Sequence, residues 1–156
     1  MTFSISSSAF KDGERIPARF TCNGPDLSPP IEISGIPEGA KSLALIVDDP
    51  DAAKEPRGNG RTWDHWILVN IPPDTKSIPE GSTPPGAIEG TNDFGNVGYG
   101  GPCPPTFQHR YHFKLYALDS NLDLEVGVSK PDAESAMDGH LIGSATLTCV
   151  YEQPRR

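Results

Sequence analysis

Glycine and proline recur so often in this sequence that they limit the length of any regular element. The 156 residues include 16 glycines and 17 prolines. Proline cannot donate to a sheet ladder or continue a helix, and glycine favours turns. The pattern therefore predicts short strands joined by shaped turns. The length fits a single domain over residues 1–156, large enough to bury a core without metal or disulfide support.

Hydrophobic periodicity predicts where the strands lie. The segment His109–Asp119 alternates, so every second residue from His109 to Ala117 is expected on one buried face. Pro50 and Pro72 end two earlier apolar segments. The predicted strands are Ser42–Asp49, Thr62–Ile71, His109–Asp119 and Gly143–Tyr151, with weaker signals at Thr2–Ser6, Arg15–Phe20 and Ile31–Ser34.

The predicted fold class is all-β, a β-sandwich of two antiparallel sheets with one short helix near the C-terminus. The helix is expected at Pro131–Gly139, where proline suits the first turn and glycine suits the stop. Pro72–Pro105 lacks clear periodicity, and such long loops are usually functional. Its GYGGPCPP segment could bring backbone N–H groups close to an anion.

Four polar residues stand at strand ends on otherwise apolar faces. Asp49 closes one strand, His65 lies near the start of the next, and His109 and Tyr111 open a third. If the first two strands pair antiparallel and the third runs parallel to the second, all four meet at one end of the sandwich. The sequence therefore predicts a small, partly buried polar pocket there.

The net charge of −8 argues against nucleic acid and anionic membrane surfaces as partners. An anion site would have to be local. We expect His65 and His109 to gain charge between about pH 8 and pH 5, with Asp49 holding one imidazole in place. An anion of fixed charge, such as sulfate, would then bind more tightly at about pH 6 than at about pH 8.

Cysteine usage and the N-terminus point to the cytoplasm. Cys22, Cys103 and Cys149 have no metal-ligand spacing, and the first ten residues lack the pattern of a secretory signal. Reduced thiols are therefore expected, with a Cys22–Cys149 disulfide as the alternative. The apolar run Leu43–Val47 is far too short to span a membrane, so stable membrane insertion is not expected.

Three separated motifs resemble the phosphatidylethanolamine-binding proteins, also called Raf kinase inhibitor proteins. DDPDA at 48–52 is similar to their DPDxP motif, and TWDHW at 62–66 is similar to their W-x-H element. GYGGPCPP followed by HRYHFKLYALD resembles their G-x-G-P-x-P…HRY signature. The order and spacing match over nearly the whole chain. The segments YGGPCPP, NIPP and KLYALD look most like the prokaryotic YbhB/YbcL-like branch.

The resemblance implies a two-sheet sandwich with an anion pocket at one end and no cofactor or catalytic residue. Its ligand would be phosphate, a carboxylate or a phospho-headgroup. By motif position the ligand-binding residues would be Asp49, Asp51, His65, Gly101, Pro102, His109 and Tyr111. Arg110 would face away and serve the structure.

The main functional hypothesis is a non-enzymatic binding module that regulates or inhibits partner proteins, such as a kinase or a protease. The alternative is a protease inhibitor presenting the rigid stretch Ile78–Gly90. A hydrolase using Cys103 and His109, or a metal held by Asp49, His65 and His109, is less favoured on these motifs. Resemblance to the prokaryotic branch implies a homodimer, and Trp66, expected on the face opposite His65, is the candidate contact.

Overall fold

The computed structural model describes residues 2–154. Within these residues, eight strands form two antiparallel sheets and one α-helix packs on the larger sheet, which confirms the predicted fold class. The strands are β1 (Ser4–Ser6), β2 (Ile31–Ser34), β3 (Ser42–Asp49), β4 (Trp63–Ile71), β5 (Ser77–Ile78), β6 (Ile88–Glu89), β7 (His109–Leu118) and β8 (Leu141–Tyr151). The helix α1 spans Lys130–Met137, and two 3-10 helices span Ala18–Phe20 and Pro50–Lys54.

The smaller sheet has the order β1-β2-β5, and the larger has the order β6-β4-β3-β7-β8. Ile5 and Ile31 from the smaller sheet pack with Leu45 and Phe113 from the larger one, so the main core lies between the sheets. The other face of the larger sheet is covered by α1, through Ala133 and Met137. No helix among residues 2–154 is long and apolar enough to cross a membrane.

Strand β3 is the centre of the larger sheet and is buried on both faces, which explains its continuous apolar sequence. It pairs antiparallel with both β4 and β7, so these two run in the same direction. The end of β3 therefore lies beside the starts of β4 and β7, as the strand-face pattern predicts. The residues predicted inward from β7, His109 to Ala117, are buried against the main core.

A β-bulge in β4 overturns the predicted facing of this strand. Val47 pairs with Trp66 and Asp48 pairs with Asp64, so His65 is the extra residue. The extra residue shifts the alternation by one position. Trp66 consequently points into the main core and is fully buried, while Ile67 packs on the α1 side. The expectation that Trp66 is exposed and forms the contact of a homodimer is therefore wrong. The homodimer itself stays a prediction.

Two further sequence expectations are corrected in the loops. The weak strand Arg15–Phe20 is a single bridge at Arg15 followed by a 3-10 helix, since Pro17 cannot donate to a ladder. The stretch Pro72–Pro105 is not structureless, because it contains β5 and β6. The observed helix, by contrast, begins within one residue of the predicted one.

The cysteine expectation is also wrong. Cys22 and Cys103 form a disulfide across 81 residues of sequence, and Cys149 is a buried free thiol. The spacing of the cysteines could not indicate this pairing, because both cysteines lie in loops. Cys22 follows the Ala18–Phe20 helix, and Cys103 belongs to the GYGGPCPP segment. Disulfides persist mainly in oxidising compartments. The cytoplasmic localisation stays a prediction and loses the support of reduced thiols.

Candidate functional site

A cavity of about 340 Å³ opens at the end of the sandwich where β3, β4 and β7 meet. Its polar lining includes the four strand-end residues that the sequence pattern brings together. These are Asp49, His65, His109 and Tyr111. All four side chains are buried, so the cavity is a recess in the core rather than a surface groove.

His109 is held between two carboxylates. Its Nδ1 lies 2.5 Å from Asp49 Oδ2, and its Nε2 lies 2.8 Å from Glu55 Oε2. Asp49 thus fixes the imidazole as predicted. Glu55 was not predicted. Because both ring nitrogens contact carboxylate oxygens, neither is left for a ligand.

The Asp49 carboxylate also organises the chain that follows β3. Its Oδ1 accepts hydrogen bonds from the backbone N–H groups of Asp51 and Ala52, which caps the Pro50–Lys54 helix. This turn carries the chain to Glu55. Burial raises the pKa of Asp49 above its ordinary value, although the hydrogen bonds from His109 and the backbone act in the other direction.

Glu55 joins this turn to the loop before β7. It accepts hydrogen bonds from the backbone N–H and the hydroxyl of Thr106 as well as contacting His109. Burial acts to raise the pKa of Glu55, but the hydrogen bonds from Thr106 and His109 leave it below the ordinary value. Glu55 is therefore a fixed negative charge in the cavity wall.

His65 occupies the bulge of β4 and differs from His109. Its Nδ1 lies 2.6 Å from the carbonyl oxygen of Gly100, and its Nε2 has no hydrogen-bond partner among residues 2–154. Burial lowers the pKa of His65 to about 4. The expectation that His65 gains charge between pH 8 and pH 5 is therefore wrong.

Aromatic rings form much of the remaining wall. Tyr111 and Phe94 both stand edge-to-face against the His65 ring, at centroid distances of 5.2 and 5.5 Å. The Tyr111 hydroxyl and the Trp63 indole N–H are buried and have no partner in the described part of the chain. Burial raises the pKa of Tyr111 far above its ordinary value, so the hydroxyl keeps its proton.

Three residues that the resemblance implies as ligand-binding do not line the cavity: Asp51, Gly101 and Pro102. Asp51 binds the Arg110 guanidinium through both carboxylate oxygens, and hydrogen bonds from Arg110 lower the pKa of Asp51 to about 2. Arg110 faces away from the cavity, as expected.

Gly101 has a packing reason to be glycine. A Cβ atom there would lie 2.3 Å from the carbonyl oxygen of Phe20, and the Gly101 N–H already donates to Asp26. The Pro102 carbonyl accepts from Cys22 N–H. This part of the loop is therefore bound to the Ala18–Phe20 region instead of forming an open nest for an anion.

Cys103 lines the cavity, but its sulfur is bonded to Cys22. It cannot act as the thiol nucleophile of the hydrolase alternative in this state. Within residues 2–154, no group of three or more His, Cys, Asp or Glu side chains is arranged to hold a metal ion.

Fold and cavity together define a class: two-sheet sandwiches with a small polar recess at one end of the core. Residues 6–152 match the family model described as phosphatidylethanolamine-binding protein. The chain belongs to this family, and the resemblance of its motifs is confirmed.

Relatives and solved structures agree with this assignment. A UPF0098 protein of Methanothermobacter thermautotrophicus is 49% identical, covering 96% of this chain and 98% of its own. The crystal structure of a phosphatidylethanolamine-binding protein homologue of Chlamydia trachomatis is 42% identical, covers 98% and 99% of the two chains and has a TM-score of 0.90. Escherichia coli YbcL is 34% identical, with 99% and 100% coverage and a TM-score of 0.88.

Proposed function

We propose that this protein is a binding protein for a small ligand carrying a phosphate or carboxylate group, without catalytic activity of its own. One observation carries the proposal. The cavity is lined by His65 and Tyr111, whose Nε2 and hydroxyl atoms are buried and have no partner in residues 2–154. A buried polar atom without a partner costs about 1–3 kcal/mol, which a ligand that hydrogen-bonds to it offsets.

The size and the walls of the cavity support a compact ligand. About 340 Å³ is at the small end of the range for small-molecule sites. Trp63, Phe94 and Pro104 supply apolar surface, while Arg57 stands exposed at the rim and brings a positive charge. A phosphate or carboxylate group with a short organic substituent fits these features.

A titration with inorganic phosphate and with acetate tests this proposal. Calorimetry at pH 5.5 should show binding of at least one of the two to the native protein. Tyr111→Phe should weaken it about tenfold, because a hydrogen bond of about 1.4 kcal/mol is lost. His112→Phe is the matched control, since His112 lies on the other face of β7. Absence of binding to both probes would disprove the proposal.

In the cell, the ligand-bound protein would act on a protein partner, such as a kinase or a protease. Protease inhibition has one specific feature in its favour. The segment between β5 and β6 is mostly exposed, yet it is braced by Gly81 N–H donating to Ser28 and by the Arg19–Glu80 ion pair. A rigid exposed loop of this kind is what an inhibitor presents to a protease. Inhibition assays with a panel of serine and cysteine proteases decide between the two candidates.

A further inference from the structure

The hydrogen bond between His65 and Gly100 fixes what the free nitrogen of His65 can do. A backbone carbonyl only accepts, so Nδ1 must carry the proton that joins it to Gly100 O at 2.6 Å. In a neutral imidazole the other nitrogen, Nε2, is then an acceptor. Among the charged groups near His65, Asp48 and Asp93 favour its protonation and His109 opposes it, but burial outweighs them. The ring presents an acceptor to the cavity.

The two other unpartnered atoms in the described cavity lining have complementary roles. Trp63 Nε1 can only donate, and the Tyr111 hydroxyl can donate or accept. A ligand that satisfies all three atoms must donate at least one hydrogen bond and accept at least one. A group with acceptor oxygens alone would place a lone pair against the lone pair of His65.

The charges around the cavity also disfavour a ligand that has lost its donor proton and gained a second negative charge. Asp49 and Glu55 both belong to the wall, and His109 is engaged by both. Arg57, the one Lys or Arg in the described lining, is exposed at the rim. Each of the two short N–O contacts of His109 needs a proton between its atoms, so Asp49, His109 and Glu55 together keep one net negative charge in the wall. A second negative charge on a ligand would face this charge with only the exposed Arg57 to offset it.

We infer that the cavity selects the protonated, singly charged form of a phosphate monoester, in which a P–OH group donates to His65 Nε2, over the doubly charged form. The inference rests on the proposed function and adds the protonation state of the ligand. The remaining phosphate oxygens accept from Trp63 and Tyr111. The short organic substituent lies against the apolar wall at Phe94 and Pro104.

Two small phosphate esters distinguish the effect of a P–OH donor from the effect of the ligand's charge. Methyl phosphate at pH 5.5 is mostly a monoanion with one P–OH, and it loses that proton near pH 6. Dimethyl phosphate is a monoanion at every relevant pH and has no P–OH. Calorimetric titrations of the native protein at pH 5.5 should show methyl phosphate binding at least tenfold more tightly than dimethyl phosphate. At pH 8.0 its affinity should fall by at least tenfold, while that of dimethyl phosphate stays unchanged.

Two substitutions assign the effect to His65. His65→Leu should bring the two esters to within twofold of each other at pH 5.5, because the acceptor is gone. His112→Leu, an imidazole removed from the opposite face, should keep the native preference. If His65→Leu does not fold, the comparison of the two esters on the native protein still decides the inference.

The outcomes separate this inference from the proposed function. Equal binding of the two esters at pH 5.5, or tighter methyl phosphate binding at pH 8.0, overturns the inference and leaves phosphate binding in place. Binding of neither ester, nor of inorganic phosphate or acetate, at pH 5.5 overturns both.

Discussion

The Nε2 atom of His109 lies 2.8 Å from a carboxylate oxygen of Glu55. Asp49 holds the other ring nitrogen, so one imidazole joins two acidic side chains from either end of a single turn. The arrangement ties the segment after β3 to the start of β7. It also makes the cavity wall more acidic than the strand-end pattern predicts.

Removing Glu55 should convert the cavity into a better site for a dianion. Glu55→Ala deletes a negative charge and releases His109 Nε2, so we expect sulfate affinity to rise by at least about tenfold, as a gain of 1.4 kcal/mol would give. Glu55→Gln removes the charge but keeps an acceptor for His109, and should give a smaller rise. Calorimetry with sulfate at pH 6.5 measures both.

Glu38→Ala is the matched control for Glu55, because it makes the same change in net charge at an exposed position outside the cavity lining. It should leave sulfate binding as in the native protein. Unchanged sulfate affinity in Glu55→Ala, with the fold intact by circular dichroism, would show that Glu55 does not govern the charge preference of the site.

Strand periodicity was sufficient to place Asp49, His65, His109 and Tyr111 around one cavity. The reason is that β3 pairs antiparallel with both β4 and β7, so the end of β3 lies beside the starts of the other two strands. This holds for any conformation of the connecting loops. The β4 bulge escaped prediction because a single inserted residue leaves no signal in hydrophobicity. Residues 65–69 of β4 are all buried, so the sequence there has no alternation of apolar and polar residues that an extra residue would interrupt.

Glu55 and the disulfide were missed for a different reason. Each joins segments distant in sequence, 54 residues in the pair with His109 and 81 residues in the bond with Cys103. Nothing local marks a loop glutamate as the partner of a histidine on another strand. The motif resemblance, in turn, gave Gly101 a ligand role, whereas its backbone packs against Phe20.

Reducing the Cys22–Cys103 disulfide should destabilise the protein. The bond closes a loop of 81 residues, for which constraint of the unfolded chain predicts about 4.5 kcal/mol. Cys22→Ser/Cys103→Ser, compared with the native protein in urea denaturation, measures the loss. Cys149→Ser is the control for a cysteine outside the bond. A double variant as stable as the oxidised protein would contradict the expectation.

Gly101→Ala should also be destabilising, by about 1–3 kcal/mol, because its new methyl group has no room. The Cβ would lie 2.3 Å from the backbone oxygen of Phe20, which cannot move like a flexible side-chain end. Gly39→Ala is a steric control, since nothing lies within 4 Å of a Cβ there; its positive φ of 92° adds backbone strain alone. Thermal denaturation compares the two, and a larger loss in Gly39→Ala would refute the packing explanation.

His65 should make the protein sensitive to mild acid. Its pKa is about 4 in the folded protein, against about 6.5 for an ordinary imidazole in the unfolded chain. Between these values the unfolded chain binds more protons than the folded one, so stability rises with pH across this window. The contribution of neutral His65 is complete above about pH 6.5 and is lost as the pH falls toward 4.

The loss is on the order of 3 kcal/mol, since each pKa unit corresponds to about 1.4 kcal/mol. Urea denaturation of the native protein and of His65→Gln at pH 7.0, 5.5 and 4.0 isolates the effect, because titration of other groups largely cancels in the difference. We expect the stability advantage of the native protein over His65→Gln to shrink steadily toward pH 4.0. His112→Gln reports the effect of removing an imidazole from the opposite face of the same sheet. A difference that stays constant, or that grows toward pH 4.0, would mean that His65 is not held neutral by its burial.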